Sequence, residues 1–240
     1  MKTYTHITSE FVDALRSANP EVPVCVILIG SVARGTATLQ SDLDLLVLSS
    51  SHIRVPRTDP QLHVQFVNEV SFREKLEAGD DFAASCIRFG VPVIPSETWM
   101  VLCSSPEANV WPDWRKKVDH AMRRLLLAAT LLDTDDVDAS VEEMLHAASH
   151  TARAILLKDH IFPLSRPELL QQLRGIGHQH LAERLNELMY KNLTERELRR
   201  AQLYVKKLLL HLDRQAYRNC IATHRQAKLA KLKQSISISI

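Results

Sequence analysis

Residues 30–45 read Gly-Ser-Val-Ala-Arg-Gly-Thr-Ala-Thr-Leu-Gln-Ser-Asp-Leu-Asp-Leu. An apolar run, Val22 to Ile29, leads into the stretch, and a second, Leu43 to Leu48, leads out of it. Both runs read as buried strands. The Gly-Ser turn between them can offer backbone N–H groups to a phosphate at a helix start. Asp42 and Asp44 are spaced i, i+2, which on a strand puts both side chains on one face. Two adjacent carboxylates suit one hard cation. Mg²⁺ in particular takes one or two carboxylates and completes its shell with substrate phosphates.

Gly-Ser-x-x-Arg-Gly followed by Ser-Asp-x-Asp-Leu resembles the signature of the polymerase-beta-like nucleotidyltransferases, above all the small bacterial ones. These include aminoglycoside nucleotidyltransferases and the minimal nucleotidyltransferases of toxin–antitoxin pairs. The resemblance covers roughly the first hundred residues. It implies an α+β domain with a mixed sheet, in which Gly30 and Ser31 grip the triphosphate and Asp42 and Asp44 bind Mg²⁺. Arg34 either adds positive charge near the phosphates or makes a surface salt bridge. Gly35 permits a tight turn, and Ser41 caps or orients the loop that carries the aspartates.

The next strand departs from that family. Members that use two metals carry a third carboxylate there, facing the first pair. Leu62 to Val67 alternates as Leu-His-Val-Gln-Phe-Val, with His63 and Gln65 on one face and no acid in the run. Asp59 precedes it and Glu69 follows it. Three readings stay open. His63 serves as general base, since imidazole titrates near neutrality. A carboxylate from the C-terminal half, Glu142 or Glu143, reaches over. Or the domain binds nucleotide without turning it over.

Helix and strand signals alternate up to Ile94. A helix is expected from Ile7 to Ala18 with Ser9 as cap, two more over 71–78 and 80–89, and an edge strand at Val91–Ile94, where Pro92 cannot donate to a ladder. From Pro112, expected in a first helical turn, apolar residues recur at helical spacing: Trp114, Val118, Met122, Leu125, Leu126 and Ala129 form one stripe. Further helices are expected over 141–157, 167–173, 180–189 and 194–211, the last opened by a Thr194/Glu197 capping box. The domains are therefore expected at 1–105, the nucleotidyltransferase domain, and 106–240, a four- or five-helix bundle.

His146 and His150 share a helix face but lack an obvious third metal ligand. The HEPN ribonucleases, often paired with minimal nucleotidyltransferases, use Arg and His four to six residues apart. Arg153 with His160, on one face of a continuous helix, and Arg218-Asn219 with His224 meet that rule loosely. The final Ser-Ile-Ser-Ile-Ser-Ile alternates like a strand.

Net charge is +2, yet residues 191–233 hold twelve Lys/Arg against three acids, which leaves −7 on the rest. That asymmetry points to a nucleic acid or an acidic partner at this segment. No apolar run approaches the ~18 residues of a membrane span, so no membrane is expected. The four cysteines lack metal-ligand spacing, and a reducing cytoplasm is the expected setting. The expected activity is Mg²⁺-dependent transfer of a nucleoside monophosphate, AMP from ATP, to a hydroxyl of a small molecule or a protein side chain. The alternatives are a catalytically weak nucleotide-binding or antitoxin-like protein, and a ribonuclease in the helical half.

Overall fold

The computed structural model describes residues 4–20, 22, 24–38, 41–57, 59–94, 96–214, 216–218, 220–223 and 226. Asn219, His224 and the Ser-Ile tail lie outside the described residues, as does much of the basic segment beyond Arg218. The chain divides into two compact units, Met1–Pro112 and Asp113–Ile240.

The first unit is built on a four-stranded mixed sheet in the order β3-β2-β1-β4. Its strands are β1 (Cys25–Ile29), β2 (Leu43–Ser49), β3 (Leu62–Asn68) and β4 (Val91–Ile94). β1 runs antiparallel to β2 and β4, while β2 and β3 are parallel. The two apolar runs occupy the centre because only there are both strand faces covered. Helix α1 (Tyr4–Ala18) sets Ile7, Phe11, Val12 and Leu15 against Val26, Leu43, Leu45 and Val47 on one face. Ser9 lies inside this helix and does not cap it, because the helix starts five residues earlier than Ser9 itself. On the other face, α3 (Glu69–Glu77), α4 (Asp81–Phe89) and α5 (Glu97–Ser104) cover Cys25, Ile27, Ile29, Leu46 and Leu48. Asn68 and Asp80 cap α3 and α4. At the end of α1, Asn19 donates to Leu15 O and Arg54 O and accepts from Arg54 N, which ties the 50–60 loop to the helix.

The second unit holds α6 (Trp114–Asp133), α7 (Val137–Lys158), α8 (Arg166–Gly175), α9 (Gln179–Tyr190) and α10 (Glu195–Leu212) around one apolar core. Pro112 falls outside α6: Asp113 is its cap and accepts from Arg115 N. The buried stripe of α6 runs through Val118, Ala121, Met122, Leu125, Ala128 and Leu132, so Ala128 takes the place expected for Ala129. Thr194 and Glu197 close the expected capping box, and Ser165 with Glu168 forms a second one at α8. None of the helices among the described residues is long and apolar enough to cross a membrane.

Candidate functional site

Strand β1 ends at Ile29, and the chain turns at Gly30 with φ +74°, a conformation that only glycine adopts without strain. The expected helix start proves to be a single turn, α2 (Gly30–Ala33). It closes through Gly35 N to Val32 O and Thr36 N to Ser31 O. A turn this short has little macrodipole, so any attraction for phosphate rests on its individual N–H groups.

Packing adds a second reason for glycine at this position, since a side chain here would displace the Asp44 carboxylate. A Cβ built on Gly30 would stand 2.3 Å from Asp44 Oδ2. The main chain of the turn therefore lies directly against the Asp44 carboxylate. Ser41 shapes the approach to the aspartates, its Oγ accepting from Thr38 N at 2.9 Å while its own N–H donates to Thr38 O. Thus Ser41 braces the loop that leads into β2.

Register brings the third group in. Asp44 pairs with Ile29 on one side and with His63 on the other. His63 Nδ1 lies 3.9 Å from Asp44 Oδ1 and 4.0 Å from Asp42 Oδ2. These separations exceed a hydrogen bond, so the imidazole is a close electrostatic neighbour of both carboxylates without being locked to either. Burial pushes the Asp44 carboxyl above its usual range; His63 and Arg34 pull it down and Asp42 pushes it up. Desolvation is the largest of these effects, because Asp44 is pressed against the turn.

Arg34 lies with its guanidinium 5.9 Å from the Phe89 ring centroid. Its charge is felt at Asp44. No local sequence pattern links Arg34 to α4, and only the folded chain brings them together. Gln65 stands two residues along β3 from His63, opposite Leu46, and adds no charge. Asp59 is engaged locally: its Oδ1 accepts from Gln61 N.

Mg²⁺ fits the pair formed by Asp42 and Asp44. A carboxylate raised by burial and by a like charge is relieved by a divalent cation, and two carboxylates with open solvent beyond them are the protein's usual share of such a site. Among the described residues no group of three or more His, Cys, Asp or Glu side chains could hold a metal ion on its own. Substrate oxygens would have to complete the shell.

The second unit's candidates have differing surroundings. Arg124 donates to both oxygens of Glu143, at 2.8 and 3.0 Å, while Glu142 is largely exposed. His146 Nδ1 faces Arg166 Nη2 at 3.1 Å, and burial followed by Arg166 and Arg124 lowers its basicity. His150 packs edge-on to His120, with centroids 5.3 Å apart. The two histidines thus have different side-chain neighbours. The Arg153/His160 pair does not share a helix face: α7 ends at Lys158, and His160 has φ 57° in the turn beyond it.

Residues 8–83 match the family model of the nucleotidyltransferase domain. A crystal structure of a nucleotidyltransferase-like protein from Exiguobacterium sibiricum is similar at 16% identity and a TM-score of 0.45, covering 85% of this chain and 75% of that one. The comparison with curated proteins gives no significant match.

Proposed function

We propose that this chain, which carries a nucleotidyltransferase domain at residues 8–83, transfers a nucleoside monophosphate, AMP from ATP, to a hydroxyl acceptor and releases pyrophosphate. The acceptor is a hydroxyl on a small molecule or on a protein side chain. One observation carries this reading: Asp42, Asp44 and His63 converge beside the Gly30 turn.

Nucleotidyl transfer asks the protein mainly to position groups and to neutralise charge. Gly30 and Ser31 present main-chain N–H groups to the triphosphate, with Arg34 as a nearby positive charge. Asp42 and Asp44 would hold Mg²⁺, which would offset the negative charge that builds up on the phosphates. Ser41 keeps the aspartate loop in place. His63 takes the proton of the acceptor hydroxyl as its oxygen bonds to the α-phosphorus and the bond to pyrophosphate breaks. Standing where related domains place a third carboxylate, His63 supplies a base without adding a third negative charge.

The test is label transfer from α-labelled ATP in the presence of Mg²⁺, with and without candidate acceptors. Asp42→Asn with Asp44→Asn is expected to lower transfer by about 10³-fold or more with an unchanged circular dichroism spectrum. His63→Ala is expected to lower it by about 10²–10⁴-fold. Full activity in the double variant defeats the assignment. The absence of an acid from Leu62 to Asn68 supports a second reading, a domain that binds nucleotide without transferring it. ATP binding with no transfer to any acceptor selects that reading.

A further inference from the structure

The second unit carries a feature that nucleotidyl transfer does not use. Helix α10 buries Leu198, Ala201, Val205 and Leu209. At 3.6 residues per turn, Arg196, Arg200, Leu203, Lys207 and His211 fall within an arc of about 80° on the opposite side. All five are exposed, Leu203 at 57%. The acids of this helix, Glu195 and Glu197, lie on its flanks. Arg199, also on a flank, is already paired, 2.7 Å from Glu195 and 3.5 Å from Asp133. Among the described residues, no carboxylate lies within ion-pair distance of Arg196, Arg200, Lys207 or His211. The line from Arg196 to His211 is about 22 Å long.

We propose that this outer face of α10 binds the phosphodiester backbone of duplex DNA. A row of cations with no acid among them is complementary to a regular polyanion. A duplex carries one charge per about 1.7 Å of its axis, and its contacts are driven by release of condensed counterions. An acidic polypeptide offers only exposed ion pairs, each of little net value. The stripe contains no Phe, Tyr or Trp on which unpaired bases would stack, which disfavours a single strand. A helix about 10–12 Å across matches the major groove of B-form DNA, about 12 Å wide, whereas A-form RNA has a deep and narrow one.

The full chain is titrated into a fluorescently labelled 20-base-pair DNA duplex, and anisotropy is read from about 25 to 200 mM KCl, a range in which phosphate contacts are strongly salt-dependent. Three fixed cations, Arg196, Arg200 and Lys207, give an expected slope of log K against log salt of about −2.7 or steeper. Replacing them together (Arg196→Gln, Arg200→Gln, Lys207→Gln) should reduce the slope by about 2.7. Arg16→Gln with Arg57→Gln and Lys75→Gln removes the same charge from the first unit and should leave the slope nearly unchanged. Circular dichroism confirms that both variants keep their helices. Three results overturn the proposal: equal losses in the two variants, no binding at the lowest salt, or tighter binding of a single strand, an RNA duplex or poly-glutamate than of the DNA duplex.

Discussion

Asp44 stands at the point where stability and function pull apart. Its carboxyl is held above the usual range first by burial, so its ionised form is disfavoured in the folded chain. A carboxyl whose folded value exceeds its unfolded one contributes stability that is fully present below the unfolded value and is lost as pH rises through the folded one. Without metal, Asp44→Asn is therefore expected to melt slightly higher than the parent at pH 7. The gap should close as pH falls below the ordinary aspartate range. Thermal melts in EDTA between pH 3.5 and 7.5 read this directly, and a variant that melts lower at pH 7 contradicts it. At the same scale, the i, i+2 spacing of the aspartates was legible because it depends only on strand alternation. The contact of Gly30 with Asp44 was not, since it depends on how the turn folds back over β2.

At the scale of the elements, Gly90 joins α4 to β4 at a point less able to yield than Gly30. A Cβ there would meet the main-chain Cys86 O at 2.4 Å and Ile27 Cγ2 at 2.7 Å. Neither neighbour is the free end of a flexible side chain. Gly90→Ala is expected to destabilise the first unit by about 2–3 kcal/mol through overpacking, visible as a lower midpoint in urea. No loss would mean that the α4–β4 junction can shift. The strands and most helices were readable from periodicity. Helix α5 was not, because Glu97–Ser104 mixes Thr, Trp, Val and Cys without a helical period. Trp99 and Leu102 hold it through burial against the sheet. The end of α7 at Lys158 was legible to within one residue of the expected 157, and that end takes His160 off the Arg153 face.

The whole chain has two units, each with its own buried core. Units with separate cores depart from a single two-state transition. Leu46 and Leu156 are both fully buried, the first in the sheet and the second in the bundle. Leu46→Ala and Leu156→Ala should each cost about 2–5 kcal/mol, and each should move a different transition in calorimetry. A single transition shifted equally by both would show that the units unfold as one.

The amino-acid order alone determined the α+β beginning, the helical second half and the Gly-Ser…Ser-Asp-x-Asp constellation, because strand alternation, helical spacing and glycine turns are local properties of the chain. Only the folded molecule decided that His63 stands against both aspartates, that Gly30 lies against the Asp44 carboxylate, and that His146 and His150 have separate partners. Those outcomes come from strand register and helix contacts between residues far apart in sequence, where the energy of packing, rather than local preference, selects the neighbour.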